Sequence, residues 1–234
     1  MTVIRIPGVT NLRDVGGIPV GASRVRSGAL LRSGKLAHLT AEGDRMLRER
    51  VRRVVDLRDD AEVRAEPSAL TDVPTARIPL FLGSTASFFA DDIDLAGMYR
   101  QLIDDSADRL AEAVRVIAAG EPTLVHCTVG KDRTGVTVAL ALSAVGADRD
   151  AVVADYALTA SQLPEERTRA VVDYFRANMP DSRHAIQLAT ESPAPVMAGL
   201  LAEIDERFGS AADYLRSAGM SGAELDALRA GLVE

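Results

Sequence analysis

The chain has 234 residues, 47% of them hydrophobic, a formal net charge of −7 and a pI near 5.1. That length and apolar content can bury one good core, which argues for a single domain over residues 1–234 with helical additions rather than two domains. The acidity argues against a nucleic-acid surface, the single cysteine excludes an intrachain disulfide, and the longest apolar stretch, around residues 136–147, is too short to cross a bilayer.

The opening Met1-Thr2-Val3-Ile4-Arg5-Ile6-Pro7-Gly8 lacks the apolar core of a signal peptide, so the default expected location is the cytoplasm. Residues 1–35 mix turns with short strand-like pieces. Thr40 reads as the cap of a helix running to about residue 50, and residues 51–57 read as a buried strand. Asp59 and Asp60 signal a second helix start, with Glu62 in its first turn. Ile78-Pro79-Leu80 resembles a strand end. In residues 106–119 Leu110, Val114 and Ile117 recur at helical spacing, Gly120 stops the pattern and Pro122 lies beyond it. Val125 closes an apolar strand, and residues 136–145 read as a buried helix. Past residue 150 the chain turns helical, with a helix over residues 164–177, another from Ser192-Pro193 with Leu200, Ile204 and Phe208 on one face, and a capping box at Ser221 with Glu224. The expected class is α/β, a central and mostly parallel sheet flanked by helices.

Residues 127–133 therefore join a buried strand to a buried helix, the crossing where ligands of α/β sheets bind. This loop carries the one cysteine, Cys127, and ends on Arg133. A tight loop followed by a helix N-terminus gathers backbone N–H groups into a concave anion site, so Thr128, Val129, Gly130, Lys131, Asp132, Arg133 and Thr134 are the expected phosphate-binding residues. Gly130 allows the tight turn, and Gly135 permits close helix packing. Arg133 offers two phosphate oxygens a planar fork that lysine cannot reproduce. Such surroundings lower a cysteine pKa to roughly 3.5–7.5, so Cys127 is expected to be a thiolate that attacks phosphorus and forms a phosphocysteine, later released by water. Thr134 can donate to the sulfur as it leaves. His126 reads as a strand histidine that fixes the loop. No metal or cofactor is needed.

The run His126-Cys127-Thr128-Val129-Gly130-Lys131-Asp132-Arg133-Thr134-Gly135 resembles the signature of bacterial protein tyrosine phosphatases of the mycobacterial protein tyrosine phosphatase B type. Asn11-Leu12-Arg13-Asp14-Val15-Gly16-Gly17, Leu31-Arg32-Ser33-Gly34, Val54-Val55-Asp56-Leu57-Arg58, Asp148-Arg149-Asp150 and Asp155-Tyr156 resemble further segments of that family, in the same order. The resemblance implies the cysteine-dependent phosphatase fold with a helical lid, for which residues 84–105, including Phe88-Phe89, and parts of 155–234 are candidates. It implies as substrate a phosphorylated protein, phosphotyrosine first, with phosphoserine, phosphothreonine or a phosphoinositide as further classes and inorganic phosphate as product. It also leaves export without a signal peptide open.

Four aspartates compete to protonate the leaving oxygen. Asp132 is favoured, because the resemblance implicates the matching residue; Asp92 and Asp94 precede the cysteine by about thirty residues, and Asp56 ends a buried strand, where a structural partner for an arginine is the stronger reading. Lys131 is either a solvated loop residue or a rim cation for the extra phosphates of an inositol ring. A rhodanese-like sulfurtransferase would not require the arginine, and a phosphatase-like arsenate reductase would need further cysteines.

Overall fold

The computed structural model describes residues 1–80 and 93–234. Six strands form one sheet: β1 (Thr2–Val3), β2 (Arg13–Asp14), β5 (Leu30–Ser33), β6 (Arg53–Asp56), β7 (Thr75–Arg77) and β8 (Thr123–His126), in the order β1-β2-β5-β8-β6-β7. The pairs β5–β8, β8–β6 and β6–β7 are parallel, whereas β1 and β2 add antiparallel at one edge. A separate hairpin pairs β3 (Pro19–Val20) with β4 (Ser23–Arg24). Strands β5 and β8 are buried along their whole length, as expected of parallel strands covered on both faces. The period of two divides them. Leu30, Val55 and Val125 join the large core on one face, while Leu31, Val54 and Leu124 join a smaller one with Leu36 and Leu47 on the other.

The small core is covered by α1 (Ala41–Arg48), whose cap Thr40 accepts from the Gly43 N–H at 3.1 Å. Next comes α2 (Asp60–Ala65), with a capping box between Asp59 and Glu62. The large core is built from α3 (Leu95–Asp105), α4 (Ala107–Ile117), α5 (Asp132–Ala144), α6 (Arg149–Gln162), α9 (Ala194–Phe208), α10 (Ala211–Ser217) and α11 (Gly222–Leu232). Between them run α7 (Glu165–Asn178) and α8 (Ala185–Thr190). Every residue from Arg133 to Leu142 in α5 is buried, as befits a helix packed by α3, α4, α6, α10 and β8. No helix among the described residues is long and apolar enough to cross a membrane.

Two boundaries and two helices differ from expectation. Helix α5 begins at Asp132 rather than Val136, because the loop tightens enough for the Gly135 N–H to reach the Lys131 carbonyl at 2.9 Å. Strand β7 ends at Arg77, and Ile78 and Leu80 go on as buried residues beyond the ladder. Helix α3, inside the 84–105 span expected as a candidate lid, instead turns Leu95, Met98, Tyr99, Leu102 and Ile103 into the large core at helical spacing and is capped by Asp94. Helix α6 lacks a clean apolar stripe in sequence, yet is capped by Asp148. Phe88, Phe89 and Asp92, with the rest of 84–92 from the candidate lid, lie outside the described residues.

Candidate active site

Cys127 follows β8 directly and is 2% exposed. The loop after it turns at Gly130, whose φ of +72° suits glycine, and a Cβ there would stand 2.2 Å from the Ser33 carbonyl oxygen. At Gly135 a Cβ would meet the Tyr156 ring at 3.0 Å, so this glycine sets the approach of α6 to α5. The outer side of the loop is held throughout. Lys35 N–H donates to the Thr128 carbonyl at 3.0 Å, Asn11 Nδ2 donates to the carbonyls of Val129 (2.9 Å) and Gly130 (3.0 Å), and Arg32 Nη2 donates to Gly130 at 2.9 Å.

Arg133 sits in the first turn of α5 and is nearly buried. Its Nη1 and Nη2 donate to Glu62 Oε2 and Oε1 at 2.6 and 2.7 Å, a two-pronged pair. Glu62 also accepts from the Thr128 hydroxyl and, at 2.9 Å, from the Asp59 N–H. Burial alone would raise the Glu62 pKa, but the hydrogen bonds and charge of Arg133 take it down to about 2 from an ordinary 4.5. Burial acts to lower the Arg133 pKa; the bond to Glu62 and the charge of Cys127 outweigh it and hold the guanidinium above its ordinary value. In the sequence Glu62 shows only its capping role, since its partner lies 71 residues away.

Asp132 Oδ1 accepts from the Tyr99 hydroxyl at 2.8 Å and lies 3.0 Å from Lys131 Nζ. Burial, then the charge of Asp132, pushes the Tyr99 pKa well above the ordinary phenol value, so Tyr99 stays a donor. Its oxygen is 2.7 Å from that of Tyr156, which must then donate to Tyr99. Thr134 is buried, and its Oγ1 has no hydrogen-bond partner among the described residues.

Lys131 corrects an expectation. It is 0% exposed, neither solvated nor a rim cation, because its Nζ donates to the carbonyls of Leu188 (2.8 Å) and Glu191 (2.7 Å) at the end of α8. The other candidate acids among the described residues, Asp94 and Asp56, are engaged elsewhere. Asp94 caps α3 through the Gly97 N–H at 2.7 Å, and Asp56 pairs with Arg58 at 2.7 Å, the structural alternative raised by its position. His126 Nδ1 lies 3.2 Å from the Cys127 carbonyl, consistent with a loop-fixing role, and burial pulls its pKa below the ordinary value.

A cavity of about 470 Å³ opens over the loop. Glu62, Thr128, Val129, Lys131, Asp132 and Arg133 line one side; Arg167, Val171, Tyr174 and Phe175 of α7 and Leu188 of α8 line the other. The sequence matches the model described as the tyrosine phosphatase family over residues 4–234. It is 32% identical to the triple specificity protein phosphatase PtpB of Mycobacterium tuberculosis, with 98% of each chain covered, and 27% identical to a tyrosine-protein phosphatase of Nostoc commune, over 89% of this chain and 75% of that one. The cysteine-to-arginine loop at a strand-to-helix crossing and the match along almost the whole length agree: the chain belongs to the tyrosine phosphatase family.

Proposed function

We propose that this phosphatase hydrolyses phosphate monoesters on proteins, phosphotyrosine first, through a phosphocysteine intermediate on Cys127. The observation that supports this reading best is the loop itself, with a cysteine at the end of a buried strand, carbonyls tied back on its outer side, and Arg133 held in one plane by Glu62. In the first step Cys127 Sγ bonds to phosphorus while the ester oxygen leaves with a proton from Asp132, which lines the cavity. Water then attacks phosphorus while its proton passes to the Asp132 carboxylate, the P–S bond breaks and the sulfur departs as thiolate, and the Thr134 hydroxyl, which has no hydrogen-bond partner among the described residues, is the candidate donor to it. Loop N–H groups and Arg133 stabilise the charge that spreads over the phosphoryl oxygens.

Helices α7 and α8 act as a cover over this site in our reading. The apolar wall of Val171, Tyr174, Phe175 and Leu188 suits an aromatic ester, and the relative from M. tuberculosis is named a triple specificity protein phosphatase. The phosphoinositide alternative, which the resemblance implies, also drew on Lys131 as a rim cation, and the tie from Lys131 to α8 takes that second support away.

The test is Cys127→Ser assayed with an aryl phosphate. Turnover should disappear while phosphate binding survives, because a serine hydroxyl is not ionised near neutral pH but the loop is intact. Residual turnover within about tenfold of the wild type would sink the covalent mechanism.

A further inference from the structure

Three sequence segments that resemble family signatures, Asn11-Leu12-Arg13, Leu31-Arg32 and Asp155-Tyr156, play no part in the chemistry above, and the fold brings them together beneath the phosphate loop. We infer that Asp155 is a positioning residue: through Arg13 with Asn11, and through Arg32, it fixes the Val129 and Gly130 carbonyls and so aims the loop N–H groups at the substrate phosphate. This rests on the loop being the phosphate site proposed above.

The contacts form two branches from one buried carboxylate. Asp155 Oδ1 accepts from Arg13 Nε at 2.7 Å and Oδ2 from Arg32 Nη1 at 2.6 Å. Arg13 Nη2 adds bonds to the Asp155 carbonyl (2.8 Å) and to Thr159 Oγ1 (2.9 Å), so its guanidinium cannot swing. Its Nη1 donates to Asn11 Oδ1, which leaves Asn11 Nδ2 facing the Val129 and Gly130 carbonyls. Arg32 Nη2 ends the second branch on the same Gly130 oxygen. A planar trans peptide points its N–H opposite to its C=O, and the described chain has no cis bond. Holding those two carbonyls outward therefore turns the N–H groups of Gly130 and Lys131 inward. Donors on a carbonyl also polarise the peptide and strengthen the N–H at its far end.

Apolar residues could pin α6 to the sheet without taking three charges out of water, and a buried ion cluster is a weak source of stability. Directional bonds are what apolar packing cannot supply. Asn11 itself has a φ of +56°, a conformation uncommon outside glycine and asparagine, and its amide ends on the loop.

The experiment compares the full-length wild type with Asp155→Asn, Asn11→Gly and the double variant, well below their thermal midpoints. It reads kcat and KM for an aryl phosphate and the inhibition constant of inorganic phosphate. Glycine tolerates the Asn11 backbone, so that variant removes the last link without baring a charge. Each single change should weaken phosphate inhibition and lower kcat by about tenfold. The double variant should be no worse than the poorer single one, because both act through one chain of contacts. Unchanged kinetics with a lowered midpoint, or losses that multiply, would overturn the inference. If Asp155→Asn does not fold, Asn11→Gly and Arg13→Lys, which lie in series on one branch, form the cycle read in the same way. A wild type that neither turns over aryl phosphate nor is inhibited by phosphate would overturn the reading of the loop, and this inference with it.

Discussion

The two sides of the loop from Cys127 to Arg133 are built differently. On the sheet side the loop is held by Asn11, Arg32 and Lys35, and behind them Arg13 and Asp155 are buried and bonded to one another. On the α7–α8 side the helices carry mostly exposed or half-buried residues, Phe175 is the one buried side chain of α7, and the bonds from Lys131 Nζ join two backbone carbonyls to the loop. Bringing charges together under the loop is expensive, and the expense is laid out where the proposed reaction needs fixed donors. The opposite wall, the cover in the proposed function, is held by contacts that can be made and broken singly.

Asp132 stands at the junction, bonded to Tyr99 on one side and beside Lys131 on the other. Asp132→Asn should slow hydrolysis of ordinary aryl and alkyl phosphates by about 10²–10⁴ and affect esters with very good leaving groups far less, since those need little protonation. Rates across a leaving-group series measure this. A uniform loss would move Asp132 from proton donor to brace and extend the rigid side across the whole loop.

Glu62 probes the rigid side by pH. Its pKa is depressed in the folded protein, so the stability it adds is fully present above the unfolded value near 4.5 and is lost as pH falls through the folded value of about 2. The stability gap between wild type and Glu62→Gln should be constant above pH 4.5 and close between there and about 2, as read from denaturant midpoints. A constant gap throughout would mean that the carboxylate charge is not what holds Arg133.

The smallest effect is expected at the cover. Lys131→Met removes the bonds to Leu188 and Glu191 while keeping an apolar stem, and should speed alkylation of Cys127 by a few-fold, with faster amide exchange over residues 165–190. Unchanged alkylation would show that apolar contacts alone keep α7 and α8 in place, which would erase the difference between the two sides.

Much of this was legible in the sequence where local rules govern. The caps at Thr40, Asp59 and Ser221, the buried strands around Val54 and Val125, and the cysteine-to-arginine spacing follow from periodicity and from chemistry within a few residues. What was missed depends on distant partners. Glu62 shows a capping role in sequence, and its hold on Arg133 exists only once α2 meets α5. Lys131 looked solvated because the carbonyls that bury it belong to a segment nearly sixty residues later. Helix α6 lacks a strong apolar stripe, since one of its inward faces presents Asp155 and Thr159 to arginines; Asp148 as a cap was the signal that could have found it.

The Arg13–Asp155–Arg32 trio also bears on how charge is distributed. Burial, with Arg32 next, lowers the Arg13 pKa only to about 10, so the trio keeps one net positive charge near neutral pH inside a chain whose formal sum is −7. At physiological ionic strength the screening length is about 8 Å, so exposed carboxylates fade quickly with distance while an enclosed guanidinium is hardly screened. In the proposed reaction a substrate phosphate is thus met by weak repulsion in solution and by the loop's attraction only at contact. Added salt should ease the encounter and leave the grip almost unchanged, the reverse of an enzyme that gathers its substrates through a basic exterior.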